Sequence, residues 1–184
     1  FPTETVYGVG ALIFDAAAAR KVYEAKSRSF TNPLAAHISS LEDVGRLARE
    51  IPDDFYKLAG KFLPGPLSIV LNKLPAIPDE VTAGLGTIGI RFPDCKPALE
   101  LISLVGQPLA ATSANVSGEP AAVTGAEAHE RMRGRIAATL DAGATPVGKE
   151  STVITLAGAR PRLLRLGAIS LDELEETLGK KFEL

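Results

Sequence analysis

At 184 residues, with 46% hydrophobic and 23% charged side chains, the chain has ordinary globular composition and the length for one well-buried α/β domain. A formal net charge of −2 argues against binding nucleic acid mainly by general electrostatics, and one cysteine, Cys95, excludes an internal disulfide framework and a cysteine-based zinc site. With no apolar run long enough to span a bilayer and no secretory leader pattern, the expected setting is soluble, reducing and cytoplasmic.

The chain opens on Phe1-Pro2-Thr3-Glu4-Thr5-Val6-Tyr7-Gly8, a polar elbow leading into an apolar strand or buried segment over 9–14; a segment before Phe1 is expected to be missing. Asp15 is placed to N-cap a helix over 16–26, whose alanines with Val22 and Tyr23 form one apolar face. That helix ends in Lys26-Ser27-Arg28-Ser29, and Pro33 disfavours helix at Asn32. Residues 34–38 read as a short strand. Ser39 or Ser40 is placed to cap a second helix to about residue 50, and Pro52 starts a third over 53–62 that should pack against it. Pro64-Gly65-Pro66 makes a rigid turn into an apolar strand over 67–72. Residues 87–92 alternate with period two, which sets Arg91 on the face opposite Ile90 and Phe92 until Pro93 ends the strand.

A helix over 97–105 leads to the buried-looking run Pro108-Leu109-Ala110-Ala111, followed by Thr112-Ser113-Ala114-Asn115-Val116-Ser117-Gly118. Seven positions rich in small hydroxyl, amide and glycine residues at the end of a strand suit a ligand-facing edge, and they suit a turn equally. Thr124 caps a helix to about 133, residues 135–140 read as a strand, and 152–156 and 162–166 read as two more joined by a hairpin around 158–161. Ser170 with Glu173 forms a capping box for the last helix, which Gly179 ends.

Two glycine motifs fail on context. Gly84-Leu85-Gly86-Thr87-Ile88-Gly89 matches a dinucleotide fingerprint but opens a strand instead of a helix, and 143–149 mimics a phosphate loop until Glu150 stands where Ser or Thr must hold magnesium. No Ser/His/Asp arrangement is readable, and two histidines, His37 and His129, cannot form a multi-histidine metal site. His129 reads as a solvated helix residue, whereas His37 suits either a structural or a ligand-binding role. Lys26 and Arg28 near a helix C-terminus are favourable for the macrodipole alone, or bind phosphates. Arg91 is a surface strand residue or a bidentate carboxylate ligand.

The elbow motif, Lys26-x-Arg28, Asn32-Pro33 with His37, Pro64-Gly65-Pro66, Arg91-x-Pro93, the 112–118 motif and Ser151-Thr152-Val153 occur in the order and spacing that resemble the YrdC/TsaC family, the L-threonylcarbamoyladenylate synthases. The likeness covers nearly the whole chain and looks like the short, single-domain form, with residues 1–184 as one YrdC-like domain. It implies a twisted open mixed sheet flanked by helices, with a concave, positively lined cavity. It also implies formation of threonylcarbamoyl-AMP and pyrophosphate from L-threonine, bicarbonate and ATP with Mg2+, the first step of the t6A modification of ANN-decoding tRNAs. A tRNA contact and a downstream threonylcarbamoyl-transferase complex are the implied partners. Carried over residue by residue, Thr5, His37, Arg91, Ala111 and Ser151 would hold L-threonine, and Arg28, Asn32, Thr87, Ser113, Asn115, Ala121 and Arg165 would hold ATP. Lys26 and Arg28 would stabilise charge, with no covalent nucleophile and no resident metal. Two other readings stay open: a carbamoyl-adenylating domain like that of hydrogenase-maturation proteins, against which the Arg91, Thr5 and Ser151 clamp argues, and an RNA-binding module, against which the net charge argues.

Overall fold

The structure, a computed structural model, describes residues 1–184. Seven strands form one mixed sheet: β1 (Gly8–Leu12), β2 (Ala35–His37), β3 (Leu67–Asn72), β4 (Thr87–Arg91), β5 (Leu109–Ser113), β6 (Thr152–Thr155) and β7 (Arg162–Arg165). Their order across the sheet is β1-β5-β2-β4-β3-β6-β7, with β2·β4 and β3·β6 parallel and the other pairs antiparallel. Six helices flank it: α1 (Ala16–Lys26), α2 (Asp53–Phe62), α3 (Asp79–Thr82), α4 (Lys96–Val105), α5 (Gly125–Met132) and α6 (Leu171–Leu178).

Strand periodicity gives the sheet two unlike faces. Ala110, Ala36, Ile90, Ile69 and Ile154 are register partners in turn across β5, β2, β4, β3 and β6, and all are fully buried in the core. Each such isoleucine contributes about 1.5–3 kcal/mol relative to an exposed one. The neighbouring row, on the other face, is His37, Arg91, Ser68, Val153 and Arg165. A one-residue slip would drive those polar groups into the core, so the apolar row fixes the register of the polar one. The next row, Ala111, Ala35, Gly89 and Val70, is small at its centre and leaves room above the sheet. A Cβ at Gly10, in register with Ala111, would lie 2.8 Å from the Ala111 side chain, so glycine permits the close approach of β1 to β5.

Most elements form where the sequence places them. Asp15 caps α1 through the Ala18 amide, Thr124 caps α5, and Ser170 with Glu173 makes the capping box of α6, which ends at Gly179 with φ 62°. The hairpin between β6 and β7 forms with a bulge, because Val153 pairs with Arg165 and Ile154 with Leu163, leaving Leu164 extra. Three expectations are corrected. The second helix is only a 3₁₀ turn, Leu41–Arg46, capped by Ser40. Beyond it the chain is diverted into sheet-like bonds, Ala48 bridging Lys73 and the Arg49 amide donating to Asn72. Tertiary pairing thus overrides local helix propensity, and α2 packs against α6 instead of a preceding helix. Residues 135–140 form no strand; Arg135 Nη1 instead donates to the Ala25 carbonyl at 3.0 Å, tying this run to the end of α1. The short α3, unforeseen, follows Pro78 with Asp79 and Glu80 in its first turn and packs against α1, joined by the Arg20–Glu80 ion pair.

Candidate active site

A cavity of about 270 Å³ lies on the polar face of the sheet, floored by the His37–Arg91–Ser68 and Ala111–Ala35–Gly89 rows and walled by the elbow, Arg28, Ser113, Glu150–Ser151 and Arg165. Of the residues expected to bind ligands, the structure brings Thr5, His37, Arg91, Ala111, Ser151, Arg28, Thr87, Ser113 and Arg165 onto this one wall. Its cations are Arg28, Arg91 and Arg165, and its single carboxylate is Glu150.

Arg91 is 2% exposed. Its Nη2 donates to Glu4 Oε1 at 2.6 Å and to Thr5 Oγ1 at 3.3 Å, whereas Nε and Nη1 are buried without a partner. The elbow fixes the Thr5 hydroxyl. Thr3 Oγ1 donates to the Val6 carbonyl at 2.6 Å, so the 2.8 Å contact between the two threonine hydroxyls has Thr5 as donor. Thr3 Oγ1 also accepts the amides of Thr5 and Val6, which turns Thr3 inward and leaves Thr5 beside Arg91.

His37 pairs in register with Arg91, and its Nδ1 lies 3.2 Å from the Ala35 carbonyl. A carbonyl only accepts, so Nδ1 carries the proton and Nε2 keeps its lone pair. Burial, reinforced by the Arg91 charge, lowers the imidazole pKa to about 3. Because that value lies below the unfolded one of about 6.5, the ring's contribution to stability is present above 6.5 and lost as the pH falls from there toward 3. We expect the ring resonances of His37 to hold their neutral positions between pH 8 and 5 in an NMR titration; a midpoint near 6.5 would contradict the neutral-acceptor assignment.

Opposite this cluster, Ser68 Oγ lies 3.0 Å from Ser151 Oγ. Arg165 donates from Nε and Nη2 to the Ser151 carbonyl at 3.2 and 3.0 Å, and from Nη1 to Glu150 Oε2 at 2.8 Å. The bulge in the β6–β7 pair turns both Leu164 and Arg165 toward the cavity mouth. Arg28 folds back on its own loop, donating from Nε to the Asn32 carbonyl at 3.1 Å and from Nη2 to that of Pro33 at 3.4 Å.

Lys26, Asn32, Asn115 and Ala121 do not reach the cavity wall. Lys26 is 1% exposed, and its Nζ donates to the Ser113 carbonyl, to the Asn115 carbonyl at 2.7 Å and to Asn115 Oδ1 at 3.2 Å. Burial, with Arg28 adding to it, pulls its pKa down to about 8, so it remains an ammonium donor at neutral pH. Asn115 spends its amide on the Val116 and Glu119 carbonyls at 3.0 and 2.8 Å. Lys26 and Asn115 thus form an internal clamp that shapes the end of β5. Asn32 contributes its carbonyl to Arg28 and its side chain stands in the exposed loop.

Sequence reasoning assigned no role to Glu4, Ser68 or Glu150. Ser68 carried a usable signal, as the one hydroxyl between apolar residues of β3, and it lies on Arg91's side of the pleat. Glu4 stood inside the quoted elbow motif, but its pairing with Arg91 spans 87 residues and has no local signature.

A family model described as "Telomere recombination", grouping Sua5, YciO and YrdC proteins, matches residues 1–167. The chain is 45% identical over 180 residues to the threonylcarbamoyl-AMP synthase of Pyrococcus abyssi, covering 98% of this chain and 53% of that protein. It is 43% identical to the threonylcarbamoyl-AMP synthase of Bacillus subtilis, covering 97% and 52%. The crystal structure of Pyrococcus abyssi Sua5 complexed with L-threonine matches with a TM-score of 0.97 at 44% identity, over 100% of this chain and 54% of that one. The chain thus spans about half the length of the curated relatives it matches.

Proposed function

The chain belongs to the Sua5/YciO/YrdC family, and from that premise we propose that its cavity is the active site of an L-threonylcarbamoyladenylate synthase. The observation that carries this reading is Arg91 itself, buried on the cavity wall with its Nε and Nη1 donors unpartnered. A free guanidinium N–H makes a charge-assisted hydrogen bond to a carboxylate, and burial strengthens it. The relative solved with L-threonine supports an amino acid as the occupant.

In this reading Arg91 takes the carboxylate of L-threonine. His37 Nε2 and the Thr5 hydroxyl oxygen offer acceptors to its remaining polar hydrogens, and Ser151 closes the pocket from the far side. Arg28 and Arg165 hold the triphosphate, with Ser113 and Thr87 along the nucleotide's path. Once the ammonium group has lost a proton to solvent, the amine lone pair adds to the carbon of bicarbonate, a C–N bond forms, and water leaves to give the carbamate. A carbamate oxygen then attacks the α-phosphorus, and the bond to pyrophosphate breaks. The substrates supply both nucleophiles, so the protein's task is alignment and charge stabilisation, where effective molarity alone can account for about 7–11 kcal/mol. Glu150, the lone wall carboxylate, would help hold a Mg2+ ion brought with ATP, which would supply charge neutralisation of the triphosphate. The activated product then serves an enzyme that transfers its threonylcarbamoyl group to tRNA. The test is pyrophosphate release from ATP and bicarbonate: we expect it to depend on added L-threonine, and release that ignores L-threonine would overturn the reading. No helix is long and apolar enough to cross a membrane.

A further inference from the structure

Glu4 is the second acidic group beside the cavity, and the chemistry above gives it no contact with a substrate. Its side chain is 6% exposed and does not form part of the wall. Oε1 accepts from Arg91 Nη2, while Oε2 is buried with no partner. The residue is held from its other end by the Val147 amide, which donates to the Glu4 carbonyl at 2.9 Å. A buried ion pair adds little net stability, and a half-satisfied carboxylate adds less. The arrangement is better explained by what it does to Arg91. By occupying Nη2 it leaves Nε and Nη1 as the unpartnered donors of the guanidinium. By lying 2.6 Å from Arg91 it also cancels the charge at that end of the cavity. At the other end Arg28 and Arg165 share the single counter-charge of Glu150, and the charge of Arg165 still reaches Arg91.

We propose that Glu4 is a positioning and specificity-determining residue that divides the cavity by charge. The Arg91–Glu4 end is electroneutral and accepts a zwitterionic amino acid, and the Arg28–Arg165 end stays net cationic and accepts the polyanion. Without Glu4, Arg91 would join the other arginines in one continuous cationic surface. A phosphate group fits a free guanidinium edge as well as a carboxylate does, so ATP or pyrophosphate would then occupy the amino-acid end. Glu4 acts through Arg91 and touches no reacting atom. The proposal rests on the two-substrate reading of the cavity given above.

The probe is inorganic pyrophosphate, titrated calorimetrically into the wild-type protein and into Glu4→Gln, Glu4→Asp and Glu4→Gln/Arg91→Ala variants whose folding is checked by circular dichroism. The wild type is expected to bind a single equivalent that does not displace L-threonine. Glu4→Gln is expected to gain a second equivalent, and its L-threonine affinity should fall at least about tenfold when pyrophosphate is present. Glu4→Asp, which keeps the charge and shortens its reach, should weaken L-threonine binding without gaining an anion, and the double variant should lose the second equivalent. A purely structural role would weaken both ligands together and create no new anion binding. Wild-type stoichiometry in Glu4→Gln, with L-threonine binding insensitive to pyrophosphate, would overturn the proposal. So would displacement of L-threonine by pyrophosphate in the wild type, an outcome that needs no variant to fold. If the wild type binds no L-threonine at all, the synthase reading fails, while the number of pyrophosphate equivalents in Glu4→Gln still decides the division of charge.

Discussion

Replacing Arg91 with alanine is expected to raise the L-threonine requirement by about a hundredfold or more while changing that for ATP only a few-fold. Removing one partner of a buried, hydrogen-bonded charge pair costs roughly 2–5 kcal/mol in binding, and the lost groups include the buried, unpartnered Nε and Nη1 donors that the proposed function gives to the amino-acid carboxylate. The variant also leaves Glu4 buried beside no counter-charge, a loss of about 3–5 kcal/mol in stability. Binding must therefore be compared at a temperature where the variant is folded. Arg91→Lys separates the two effects: it keeps a cation near Glu4 but loses the planar fork, so it should recover much of the stability and little of the L-threonine affinity. Steady-state rates with each substrate varied in turn read this out, and equal losses toward L-threonine and ATP would remove the carboxylate clamp.

The second large effect is expected at Lys26. Lys26→Met keeps the length of the side chain and leaves the carbonyls of Ser113 and Asn115 and the Asn115 side-chain oxygen without their shared donor. Unsatisfied buried acceptors cost about 1–3 kcal/mol each. We expect a total loss of about 3 kcal/mol after the loop relaxes, seen as a fall of about 6–12 °C in Tm for a chain of this size. Weakened ATP binding should accompany it, because Ser113 stands on the cavity wall where Lys26 holds its carbonyl. L-threonine affinity should change little. If Lys26→Met melts like the parent and loses only ATP affinity, then the lysine acts on the phosphates directly, as the family resemblance implies, and the clamp assignment is wrong.

What the sequence revealed and what it hid follow from the range of the interactions involved. Apolar, β-branched content and period-two alternation are local properties, so β3 was legible from the first and β4 from the second, and with β4 the side of the pleat on which Arg91 lies. Helix caps are local too, and Asp15, Thr124 and Ser170 all cap the helices expected of them. The row that makes the cavity floor was not legible, because His37, Arg91 and Ser68 are aligned only by registers among β2, β4 and β3. The same holds for Lys26. Its place at the end of α1 fits a macrodipole role or a phosphate contact, and only the approach of 113–115 shows that the ammonium is consumed internally. The run 135–140 read as a strand, yet the two sheet edges are β1 and β7 and neither takes it up. The motif likeness pointed to Thr5, Arg91 and Ser151, and all three line the cavity. It was silent on Glu4 and Ser68, which act on those side chains from behind or beside them.

The central claim is that one cavity joins L-threonine, bicarbonate and ATP without a nucleophile from the protein. Its most direct test is mass spectrometry of the nucleotide product after incubating the protein with Mg–ATP, L-threonine and 13C-bicarbonate. Threonylcarbamoyl-AMP carrying a single 13C is expected, formed in step with pyrophosphate and absent when L-threonine is left out. Pyrophosphate released with no labelled adduct, or the same adduct yield from Arg91→Ala as from the wild type at low L-threonine, would contradict it.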